Sequence, residues 1–198
     1  MNRNIKILLV ASSFFMLAGG LFGPIYAIFV EEIGGDLLTA GAAYSIFAIT
    51  AGVIIYFISK WEDKIKYKKE LLIGSYALSC IGFLGYLFIQ SPIHLFLVQI
   101  VFGIGDAIGT PLFDGLYSKN IDEGKDVSEW GAWESLNYIF QGIAALVGGY
   151  IALKYGFRPL FVIMLVLSIF GLGTSILLVK YNHIKKNGKK NKKNRKKK

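Results

Sequence analysis

The sequence predicts an all-α polytopic membrane protein with six transmembrane helices. Six apolar runs carry the prediction: Ile5–Val30, Leu37–Ser59, Leu71–Gln90, Ile93–Tyr117, Trp130–Leu153 and Pro159–Val179. Each has about the 20 residues a helix needs to cross a hydrocarbon core of roughly 30 Å. Only three acidic residues fall inside them, Asp106, Asp114 and Glu134. Composition agrees, with 54% hydrophobic and 18% charged residues, where soluble domains carry about 25% charge. A helix that is apolar on every side must be deeply buried or in lipid. Six such helices in 198 residues leave no soluble body to bury them.

The first run starts like a secretory signal, with Arg3 and Lys6 before an apolar stretch. It then continues through Leu21–Val30 without a polar cleavage region, which predicts a retained helix. Gly19, Gly20, Gly23 and Pro24 interrupt it. The third run holds the single cysteine, Cys80, read as a small apolar packing residue. In the fourth, Gly103, Ala107 and Pro111 recur along the helix, and in the fifth Gly142, Ala145 and Gly149 share a face. Such small residues let helices approach closely or bend in a membrane. Trp130 and Trp133 open the fifth run, at the level where indoles meet the headgroups.

The connections between runs are sorted by charge. Lys60, Lys64, Lys66, Lys68 and Lys69 fill the second connection, Lys119 and Lys125 the fourth, and nine lysines with Arg195 the stretch 185–198. The first connection instead has Glu31, Glu32 and Asp36 with no cation, and the fifth only Lys154 and Arg158. Cations near span ends stay on the cytoplasmic side. The pattern therefore predicts a multi-pass protein of the cell (plasma) membrane with both termini cytoplasmic. The net charge of +9 is concentrated in the tail. Residues 181–198 read as a disordered Lys-rich anchor that meets anionic headgroups. They lack the aromatic platform of single-strand binders, so no nucleic-acid partner is expected.

A carboxylate inside a span is expensive and points to function. On the fourth helix Gln99, Asp106, Thr110 and Asp114 fall on one stripe; on the fifth, Glu134, Asn137 and Gln141 do the same. Neither stripe can face hydrocarbon, so both are expected to face the bundle interior or a water-filled cavity. No Lys or Arg lies deep in a span to neutralise the carboxylates. Two readings stay open for them, interhelical hydrogen bonding and proton or cation coupling. Asp106 is the leading coupling candidate, followed by Glu134 and Asp114. Gln99, Thr110, Trp133, Asn137 and Gln141 are the expected solute-lining residues. His94 and His183 have no metal-ligand spacing, and no phosphate loop or nucleophile elbow is present. Neither an enzyme activity, a metal nor a cofactor is expected.

Three stretches resemble one six-helix half of a major facilitator superfamily (MFS) transporter, most like the N-terminal half. The first is Ser59-Lys60-Trp61-Glu62-Asp63-Lys64-Ile65-Lys66-Tyr67-Lys68. It is similar to the family's cytoplasmic Gly-x-x-x-Asp-Arg/Lys-x-Gly-Arg/Lys-Arg/Lys, with Ser59, Lys66 and Tyr67 departing from it. The resemblance implies a conformational latch at Ser59, Asp63, Lys64 and Lys68. The second stretch runs from Leu95 through Gln99, Gly103 and Gly105 to Pro111. Here Gln99 stands where the family favours an arginine associated with proton transfer, which leaves Asp106 or Glu134 to carry any coupling. The third is Gly148-Gly149 followed by Gly156-Phe157-Arg158 and Phe161. Ala144-Ala145 replaces the Gly-Pro of antiporter members, so antiport is not implied.

The resemblance implies a half bundle built as a three-plus-three inverted repeat, and a transporter working by alternating access around a mid-membrane solute site. A single six-helix bundle has nothing to rock against. The expected function is a secondary-transporter subunit in the lipid bilayer for a small solute, with proton coupling as an open option, working as a homodimer or with a second six-helix half. The alternative is a non-transporting membrane scaffold or assembly protein, or a truncated MFS fragment.

Overall fold

The chain, seen in a computed structural model, is all-helical; the backbone of residues 1–195 and the side chains of residues 1–180 are described. The sequence-predicted disordered tail, 181–198, lies outside the fully described residues. Helix α1 (Arg3–Phe22) passes through a 3-10 turn at Gly23–Ile25 into α2 (Tyr26–Glu32). Pro24 lies inside that turn; it has no N–H to continue the α-helical ladder. The next helices are α3 (Leu37–Glu62), α4 (Lys68–Tyr86), α5 (Pro92–Ser118), α6 (Asp126–Tyr155) and α7 (Phe157–Arg195). Local chemistry sets several ends. The Asp36 side chain caps α3 by accepting from the Thr39 N–H at 2.7 Å. Pro92 opens α5, where a missing N–H costs nothing. Gly156 alone joins α6 to α7 at φ 80°, in the left-handed region that glycine enters without a Cβ clash.

Among the described residues, five segments are long and apolar enough to cross a membrane: Arg3–Glu32, Leu37–Glu62, Pro92–Ser118, Asp126–Tyr155 and Phe157–Lys180. The sixth helix, α4, is shorter at 19 residues, and Lys68, Lys69 and Glu70 occupy its first turn. It is nevertheless packed within the bundle, against α5 and α7.

The helix pairs reveal the internal repeat. The main contacts are α1 with α6 and α7, α5 with α3 and α4, and α4 with α7. Exchanging α1 for α5, α3 for α6 and α4 for α7 returns the same set. This is the contact pattern of a three-plus-three repeat in which the first three spans correspond to the last three. Close approaches at glycines occur in both of two helix pairs that the exchange relates, α1 with α6 and α3 with α5. A Cβ on Gly148 of α6 would land on the Leu21 carbonyl of α1. A Cβ on Gly103 of α5 would lie 2.9 Å from the Phe47 carbonyl of α3. Sequence reasoning placed the tight face of α6 at Gly142, Ala145 and Gly149. The structure corrects this: Gly142 and Gly149 have open space beside them, whereas Ala144 and Gly148 are buried.

Two apolar clusters hold the bundle. One gathers aromatic rings around Phe22, with Phe29, Tyr86 and Phe161 edge-on to it at 5.0–5.5 Å. The other, at the end carrying the lysine-rich α3–α4 connection, is built on Ile5, Leu8, Leu72, Phe113, Tyr117 and Leu178. At that same basic end the Lys69 ammonium reaches the Asn4 side chain at 3.4 Å and the Leu178 carbonyl at 3.3 Å, tying α4 to α1 and α7. The repeat mates α3 and α6 are the barest helices, with 11% of each apolar window buried, against 50% for the first span and 44% for α5. Their open faces carry large apolar side chains such as Tyr56, Phe57, Leu146 and Leu153.

Candidate functional site

The polar face of α5 opens onto a cavity of about 270 Å³ between α1, α4, α5 and α6. Helix periodicity puts Asp106, Thr110 and Asp114 one turn apart on that face, and all three are exposed. Asp106 lies near the middle of α5. The Thr110 hydroxyl donates to its Oδ1 at 3.1 Å. The Asp114 carboxylate has no side-chain partner among the described residues; only its backbone carbonyl is engaged, by the Ser118 hydroxyl at 2.8 Å. Helix α6 adds Trp133 and Asn137 to the lining, and the Gln141 amide donates to the Asn137 Oδ1 at 2.5 Å.

Two aromatic pairs wall the cavity. Phe15 of α1 stacks on Tyr76 of α4 at 4.5 Å between ring centroids. Phe113 of α5 lies 4.5 Å from Trp133 of α6. The Tyr76 hydroxyl is buried and has no hydrogen-bond partner among the described residues. None of the lining side chains is Lys, Arg or His. The site is thus anionic and aromatic, with carboxylates on one helix and rings on four.

Toward the basic end, side chains of α5 and α6 meet beside the cavity. Tyr117 packs on Trp130 at 4.7 Å, and its hydroxyl donates to the Glu129 carbonyl at 2.6 Å. Trp130 and Trp133, expected at the headgroup level, here serve as the rings that join α6 to α5.

Of the eight intramembrane residues singled out from sequence, Asp106, Thr110, Asp114, Trp133 and Asn137 meet in this cavity. Glu134 and Gln141 are exposed on α6 but do not line it. Gln99 also lies elsewhere. It is 8% exposed, and its Nε2 donates to the Tyr26 hydroxyl at 3.0 Å and the Tyr86 hydroxyl at 3.5 Å. Those bonds link α5 to α2 and α4. Sequence reasoning missed Phe15, Tyr76 and Phe113, because an aromatic residue in an apolar run carries no sign of whether it faces lipid, core or cavity.

The four latch residues sit together at the basic end. Asp63 Oδ1 is 3.6 Å from Lys68 Nζ, with the Asp63 side chain 88% exposed. The Ser59 carbonyl accepts the Asp63 N–H at 3.1 Å. Lys64 borders an open groove with Trp61 and Tyr67. An ion pair so exposed contributes at most about 1 kcal/mol. Beside it, Glu62 is 3% exposed, and neither of its carboxylate oxygens has a hydrogen-bond partner among the described residues.

Comparison with known proteins places this architecture. The chain is 22% identical over 138 residues to the uncharacterized MFS-type transporter YitZ of Bacillus subtilis, covering 68% of this chain and 82% of that protein. It is 26% identical over 179 residues to the multidrug resistance protein MdtG of Yersinia enterocolitica, covering 85% of this chain but 42% of the relative. It is also 26% identical over 159 residues to the uncharacterized MFS-type transporter MJ1560 of Methanocaldococcus jannaschii, covering 80% of this chain and 41% of that one. The chain thus spans most of YitZ and about two-fifths of the other two. The sequence profile of the Major Facilitator Superfamily matches residues 8–198. With six helices in the contact pattern of an inverted repeat and that match along nearly its whole length, the chain belongs to the Major Facilitator Superfamily.

Proposed function

We propose that the chain is one half of a secondary transporter that moves a small solute by alternating access, paired with a second six-helix body. That body is a second copy of this chain or a different six-helix half. The observation that carries the reading is the exposed polar face of α5 and α6, where Asp106, Thr110, Asp114, Glu134 and Gln141 stand open on otherwise apolar spans. Such groups cannot border hydrocarbon. They fit a water-filled path between two bodies, with the bare apolar faces of α3 and α6 on either side of it. In this reading both termini face the cytoplasm of a cell whose plasma membrane holds the protein. Asp106 is the coupling carboxylate, and the Asp63–Lys68 pair with Ser59 and Lys64 forms the cytoplasmic latch.

The test is uptake by the purified protein in proteoliposomes under an imposed pH gradient. Asp106→Asn is expected to abolish coupled uptake while leaving the mass of the assembly in detergent unchanged. Unchanged pH-dependent uptake in the variant would remove Asp106 from coupling. A strict monomer that moves no solute would overturn the transporter reading in favour of a membrane scaffold.

A further inference from the structure

We propose that the cavity between α1, α4, α5 and α6 receives an amphiphilic aromatic cation, with Asp114 as its anionic contact and the Phe15–Tyr76 and Phe113–Trp133 pairs as its walls. The proposal deepens the transporter reading by naming the solute class, and it rests on that reading for the direction in which the solute moves.

The charge of the cavity selects a cation. The cavity presents the carboxylates of Asp106 and Asp114 and no cationic side chain. An anionic solute there meets two like charges and no countercharge in the lining. The two carboxylates differ in availability. Asp106 is held by the Thr110 hydroxyl, whereas Asp114 has no side-chain partner among the described residues. A hard metal ion replaces its water shell with six or more oxygens at short range. Four of the lining residues are instead aromatic, and a ring face attracts a weakly hydrated organic cation without needing to coordinate it.

The buried Tyr76 hydroxyl offers a polar contact. It lines the cavity and lacks a partner. A buried hydroxyl left unpaired is costly, and a polar group on a bound solute would satisfy it. The volume agrees with the head of such a molecule. About 270 Å³ is near the lower end of small-molecule pockets, which run from roughly 300 to 1,000 Å³. The remainder of the solute would project from the open side toward the second body.

Tetraphenylphosphonium, a bulky aromatic cation, is the probe, and binding is read without any gradient by equilibrium dialysis of the full chain in detergent. Saturable binding is expected, with tetraphenylborate, an anion of the same shape, failing to compete. Asp114→Asn is expected to weaken binding at least tenfold, Asp114→Glu to restore most of it, and Asp106→Asn to change it two- to threefold. Trp133→Leu is expected to weaken it severalfold, with size-exclusion profiles unchanged throughout. Equal binding of the anion, or full affinity in Asp114→Asn, would overturn the proposal. If Asp114→Asn does not fold, loss of binding in a well-folded Asp114→Glu variant would also count against it. The two readings fail separately. Saturable cation binding with no uptake of any solute refutes transport and keeps the site. Uptake of a neutral or anionic solute with no cation binding refutes the site and keeps transport.

Discussion

Gln99 and Asp114 lie on the same helix, yet one is closed and the other open. Gln99 is sealed between the hydroxyls of Tyr26 and Tyr86, and its amide joins α5 to two neighbouring helices. Asp114, about 22 Å further along the axis at 1.5 Å per residue, stands in a cavity with no side-chain partner. From sequence they are two members of one polar stripe. Their surroundings divide them: a polar group satisfied within the protein holds the fold, and one left unsatisfied in an open cavity is available to something from outside.

The largest expected effect tests the frame on which the open site hangs. Gly148→Ala drives a methyl into the Leu21 carbonyl and must separate α6 from α1. A cost of about 3 kcal/mol is expected, measured by reversible unfolding in mixed micelles, together with loss of the Trp133 wall. A variant as stable as the parent would show that α6 can slide, and that the cavity is not a fixed shape. Next comes Gln99→Leu, which removes the amide and leaves the Tyr26 and Tyr86 hydroxyls without it. The expected loss is about 2 kcal/mol, with probe affinity unchanged. Asp114→Asn should do the reverse, shifting stability by less than about 0.5 kcal/mol while affinity collapses. If both substitutions move the same quantity, the division between closed and open stations fails.

The smallest effect calibrates these from outside the bilayer. The Thr39 hydroxyl first, and then the Thr39 N–H, hold the Asp36 carboxyl below its ordinary value of 3.8. A lowered carboxyl stabilises the fold fully above its unfolded value and loses that contribution as pH falls through the folded one. Asp36→Ala should therefore lower stability slightly at neutral pH and by less in strong acid, as read by the same unfolding assay at two pH values.

Much of this could be read before any coordinates, and the reasons are physical. Five of the six spans were legible because apolar length is an absolute requirement of the bilayer, and the sixth, α4, is placed by its packing against α5 and α7. The stripe of Asp106, Thr110 and Asp114 was legible because helical periodicity depends only on spacing. Contacts were harder to read. Gly148 and Gly149 differ by one residue and hence by about 100°; which of them meets Leu21 is decided by where the helices cross. Gln99 was assigned to the solute for want of its partners, Tyr26 and Tyr86, which lie 73 and 13 residues away. The rings of Phe15 and Phe113 gave no signal, because lipid-facing and cavity-facing phenylalanines are written alike. The repeat was faint in sequence yet plain in contacts, since the two halves keep a packing scheme and not a residue pattern.

That packing scheme bears on how the chain enters a membrane. A bundle whose helix contacts survive exchange of its first three spans for its last three looks much the same from either side of the bilayer. Interhelical packing then gives almost no preference between the two ways of inserting it. The choice falls to the flanking charges, and lysines moved from the α3–α4 connection to the α2–α3 connection should weaken the preference for one orientation.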